Sequence, residues 1–136
     1  MDQMDESESA TLTAPPLLSD RLTEWASTQP RGERAAVAAL IEEGDILARQ
    51  DVRDLLVVET GSGAFCDWTR LENRYRPILP LTPSEDAFLT LLIAIAFPRH
   101  VPLWRVEDLG DRRLAVVLRA LARLACSDTI AVGART

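Results

Sequence analysis

The chain has 136 residues, of which 47% are hydrophobic and 26% charged, and its formal net charge is −6. That composition is ordinary for a soluble globular protein and long enough for one domain with its own core. The acidic balance weighs against a protein that holds nucleic acid or anionic lipid over its whole surface.

Aromatic residues make up only 5%, so Leu, Ala, Val and Ile must build the core. All 15 basic residues are arginine, a skew that fits the coding bias of a GC-rich bacterial genome. The charge is unevenly spread. Residues 1–60 carry 13 acids and 5 arginines, residues 61–98 carry 4 and 3, and residues 99–136 carry 4 and 7. The three stretches are therefore −8, −1 and +3.

Residues 1–16, "MDQMDESESATLTAPP", are polar and acidic and read as a disordered tail rather than a signal peptide. Residues 17–136 read as a single, mainly α domain. "LLSDRLTEWASTQ" predicts a short helix capped by Ser19, with Leu22 and Trp25 inward. "PRGERAAVAALIEEG" predicts a helix opened by Pro30 and closed by Gly44. Its carboxyl end bears Glu42 and Glu43, where the helix dipole disfavours them. In "DILARQDVRDLLVVET", Asp45 is a candidate cap for a helix running to about Leu56. The β-branched end is open to a strand.

"TGSG" (60–63) is a break. Phe65, Trp68, Leu71 and Tyr75 then recur at helical spacing, Glu72 and Arg76 form an i,i+4 pair, and prolines 77 and 80 end the element. "LTPSEDAFLTLLIAIAFP" carries the strongest local signal: Thr82 as cap, Pro83 in the first turn and Glu85 reaching back. Its helix, about 83–97, is apolar on nearly every side, which predicts the buried centre of the fold. "LWRVEDLG" predicts a short helix, "DRRLAVVLRALARLA" a long one, and Thr129–Val132 a short terminal strand.

No catalytic residue, metal ligand or cofactor is assigned. His100 is the only histidine, and the two cysteines, Cys66 and Cys126, make no C-x-x-C pair, so they read as free thiols. A cysteine–histidine nucleophile would need one of them brought to His100. "GSG" lacks the lysine of a phosphate loop. Glu42, Glu43 and Asp45 lack the alternating spacing of a calcium loop. Trp25, Trp68 and Trp104, with Phe65 and Tyr75, read as core or interface before they read as a base-stacking surface.

On the C-terminal helix, Leu114, Val117, Leu118, Leu121 and Leu124 fall on one face, expected to be buried. Arg112, Arg119 and Arg123 fall opposite, with Val116 between them and Arg113 to the side. The order helix, short helix, helix, strand over residues 81–133 resembles a winged-helix domain, which implies a DNA-binding regulator with the last helix in the major groove. Glu107, Asp108 and Asp111 oppose that use, and the reading helix lacks Ser, Thr, Asn and Gln. The favoured expectation is a non-enzymatic, cytoplasmic protein-interaction module: an adaptor, regulator or small subunit. Its contact is expected at Arg112, Arg119, Arg123, Arg113 and Trp104, for a protein partner or a second copy, with DNA binding as the alternative and no membrane.

Overall fold

The computed structural model describes residues 17–61, 63–97 and 100–133. The expected tail, residues 1–16, lies outside them, as does the Arg76 side chain of the expected Glu72–Arg76 pair. The described residues form six α-helices, one 3-10 helix and one β-hairpin. The mainly helical class holds.

Helix α1 spans Leu18–Ala26, with Leu17 at its cap and no side-chain cap, so Ser19 falls inside the first turn rather than before it. Helix α2 spans Arg31–Glu43, preceded by Pro30 and ended by Gly44 in a positive-φ conformation that suits glycine. Asp45 starts no helix. Residues 45–48 are turn, and helix α3 spans only Gln50–Leu56.

The chain then enters strand β1, Val57–Thr60, which pairs antiparallel with strand β2, Gly63–Cys66, so the "TGSG" break is the tip of a hairpin. Gly61, which follows β1, has the positive φ that hairpin turns favour and that glycine tolerates. Phe65 therefore belongs to a strand, beside Trp25 at a ring separation of 6.0 Å, and not to the helix that follows. Arg70 donates to the carbonyls of Leu55 and Val57 and so ties the helix–strand junction to helix α4, Trp68–Ile78. That helix runs past Pro77 and ends before Pro80.

Helix α5, Pro83–Ala96, is the centre of the core. It buries Ala87, Phe88, Leu89, Leu91, Leu92, Ile93, Ile95 and Ala96. The capping box is formed in both directions: Glu85 N–H donates to Thr82 Oγ1 at 3.1 Å, and Thr82 N–H donates to Glu85 Oε1 at 2.9 Å. Thr82→Ala is expected to cost about 1 kcal/mol, read as a lower urea midpoint at unchanged slope.

The short helix expected at "LWRVEDLG" is a 3-10 helix, Leu103–Asp108, and helix α6 spans Gly110–Leu124. Helix α6 ends without a glycine. Ser127 N–H donates to Ala122 O and Cys126 N–H to Arg123 O, with Cys126 at φ 58°. This is the paired closure usually built on glycine. The expected terminal strand is corrected: residues 129–133 have no regular structure. The one hairpin among the described residues precedes the central helix instead of following the last one, so residues 81–133 lack the wing of a winged helix.

Candidate interaction surface

Helix α6 is rotated from its expected setting. Its buried residues are Val116, Val117 and Ala120, with Leu109 just before it. Leu118 and Leu121, expected inside, are 41% and 44% exposed. The line Arg112, Val116, Arg119, Arg123 faces α2, the helix with which α6 packs most extensively.

The cause lies at the carboxyl end of α2. Glu43 is buried, with its side chain 0% exposed. It accepts from Arg113 Nε at 2.9 Å, from Arg112 at 3.2 Å and from the Ile46 N–H at 2.9 Å. Arg112 also donates at 2.8 Å to the Glu43 carbonyl, which accepts from the Asp45 N–H as well, and it reaches the Asp45 side chain. Arg113 continues to Ser84 Oγ at 2.8 Å, and Ser84 donates to Leu109 O at 2.7 Å. Arg119 pairs with Glu42 and donates to Val132 O, and Arg123 lies 3.6 Å from Glu42. Acids that the dipole disfavours at the end of α2 are thus met by four arginines from α6. A buried charge is tolerable only when paired and hydrogen-bonded, as Glu43 is.

Four of the five residues expected to meet a partner are therefore gathered together and engaged within the chain. The fifth, Trp104, is 54% exposed and carries the Arg105 guanidinium over its ring at 4.9 Å. Trp68 and Tyr75 are buried, so the tryptophans make no shared stacking face.

The face of α6 turned away from α2 carries a different pattern. Leu114, Leu118, Leu121 and Ala125 follow at spacings of four, three and four, flanked by Ala115 and Ala122. Leu118, Leu121 and Ala125 are exposed, the others half-buried, and Asp111 is the only charge on that side. Leu103 in the preceding 3-10 helix is 79% exposed. The spacing was visible in the sequence. Its outward setting was not, because either stripe satisfies a helical period.

His100 lines a cavity of about 340 Å³ with Glu72, Tyr75, Thr90, Val101, Pro102 and Arg105 among its walls. Neither cysteine lines it. Cys126 is exposed, while burial and the nearby Glu33 charge push the Cys66 thiol up to about 12, so it stays protonated at neutral pH. No group of three or more His, Cys, Asp or Glu among the described residues is placed to hold a metal, and no described helix is long and apolar enough to cross a membrane.

The described residues together define a mostly helical fold with a small antiparallel hairpin and an outward apolar helix face. Comparison with protein-family models, with curated proteins and with solved structures finds no match.

Proposed function

We propose that this protein is a non-enzymatic protein-binding module, an adaptor, regulator or small subunit, that docks through the outward face of α6. The observation that carries the reading is the exposed pair Leu118 and Leu121, continued by exposed Ala125 and bounded by Leu114, which is half-buried against the core. Contiguous exposed apolar surface on a soluble domain marks interaction sites. The arginines become its scaffold: they fix α6 on α2 and so set which face is presented. The DNA reading is weaker for the same reason, since Arg112, Arg119 and Arg123 meet carboxylates of their own chain.

The test is the double variant Leu118→Glu, Leu121→Glu. It is expected to lose the proteins that co-purify with the wild type from the native host while its melting temperature stays within a few degrees, as surface changes usually allow. An unchanged set of co-purifying proteins sinks the reading.

A further inference from the structure

We infer that the occupant of the α6 face is an amphipathic helix of another protein, laid antiparallel to α6, with a cluster of Arg or Lys at its C-terminal end. The inference rests on the docking reading above and adds the chemistry of the partner.

The four-three-four spacing of Leu114, Leu118, Leu121 and Ala125 is the repeat by which one helix presents a continuous seam to another. Ala115 and Ala122 run beside that seam and leave room for a second backbone to approach. A seam of this kind suits a helix laid along it, whereas a partner added as a β-strand needs an open sheet edge.

The charge around the seam gives it a direction. Glu107, Asp108 and Asp111 cluster at the N-terminal end of α6, all exposed and with no ion pair to any described residue. The nearby cations are engaged: Arg105 pairs with Asp86, and Arg112 with Glu43 and Asp45. An antiparallel partner brings its C-terminus to this acidic end. Basic residues there are favoured twice, by the three carboxylates and by the partner's own helix dipole.

A second copy of this chain fits less well. Antiparallel pairing of two α6 helices sets the Ala125–Asp128 end of one against Glu107–Asp111 of the other, acid toward acid. The arginines of both lie on the far side, against α2. Each chain also brings a net charge of −6.

Two fluorescein-labelled helical peptides with one shared Leu heptad seam provide the test. One ends in four arginines and the other in four glutamates, and both are titrated with the full chain by fluorescence anisotropy at low and at physiological salt. The arginine-ended peptide is expected to bind at least about tenfold more tightly, a difference of about 1.4 kcal/mol. Its advantage should shrink with salt and reverse in the Asp108→Arg, Asp111→Arg variant. Equal affinities overturn the charged, antiparallel partner while leaving apolar docking in place. If neither peptide binds and the double leucine variant still loses its partners, the partner is not such a helix. If neither binds and that variant keeps its partners, the docking face itself is wrong. A dimer of the chain alone, abolished by Leu118→Glu, overturns the inference in favour of a second copy.

Discussion

Replacing Glu43 by alanine is expected to remove about 3 kcal/mol of stability, the scale seen when one member of a buried ion pair is deleted. The carboxylate is the only acid with no exposed side-chain surface among the ion pairs described. It accepts from three groups at once: two arginines of α6 and the Ile46 amide of the turn after α2. Arg112, 54% exposed, can return to water when its partner is lost. Arg113, 16% exposed, cannot return fully, and it retains only Ser84. The loss should therefore exceed that of Glu42→Ala, whose pairs with Arg119 and Arg123 are partly solvated and worth at most about 1 kcal/mol each. Urea unfolding of both variants checks the order. A Glu43→Ala loss no larger than that of Glu42→Ala would mean the buried carboxylate does not hold α2 to α6. The same variant bears on the proposed docking face, since freeing α6 from α2 releases the setting that turns Leu118 and Leu121 outward.

The rotation of α6 is also the place where sequence reading and structure part most clearly. A helical wheel ranks faces by hydrophobicity, and on that ranking the leucine stripe belongs inside. The deciding term was the acidic end of α2, about seventy residues upstream, which no local window contains. Both halves of the contact are visible in the sequence, as an ill-placed pair of glutamates and as a stripe of arginines, but nothing in the sequence says that they meet. Small residues complete the explanation. Ala35, Ala36 and Ala39 of α2 and Val116 and Ala120 of α6 are buried, so the two helices can pack on short side chains while long arginines close the edge. Helix α5 was legible because its signals agree: a capping box, a proline in the first turn and apolar residues on all sides. The hairpin was legible only in part: the β-branched end after Leu56 is open to a strand, but the second strand has only four residues and its Phe65 also fits the helical spacing of Trp68, Leu71 and Tyr75. The end of α6 was hidden for another reason. Cys126 occupies the left-handed position where a glycine would have announced the stop.

Gly32→Ala should destabilise the protein, although the same change in an exposed helix interior favours the folded state by about 1 kcal/mol. Gly32 lies in the first turn of α2, where the chain passes the last turn of α5. A Cβ placed there would meet the Ile95 carbonyl oxygen closer than real Cβ atoms come, and the Ala96 oxygen at 3.0 Å. Both obstacles are backbone, so no side-chain rotation relieves them. The approach itself is favourable as it stands, because carbonyls at the end of α5 carry the negative pole of that helix toward the positive pole of α2. Adding a methyl forces α2 and α5 apart and strains a core packed to native density, at a cost of roughly 1–3 kcal/mol. That outweighs the gain in helix propensity, and the net loss should lower the melting temperature by a few degrees. Gly32→Val, larger and branched at Cβ, should lower it further. If calorimetry finds Gly32→Ala neutral or stabilising, close approach of α2 to α5 at Gly32 does not limit the side chain there.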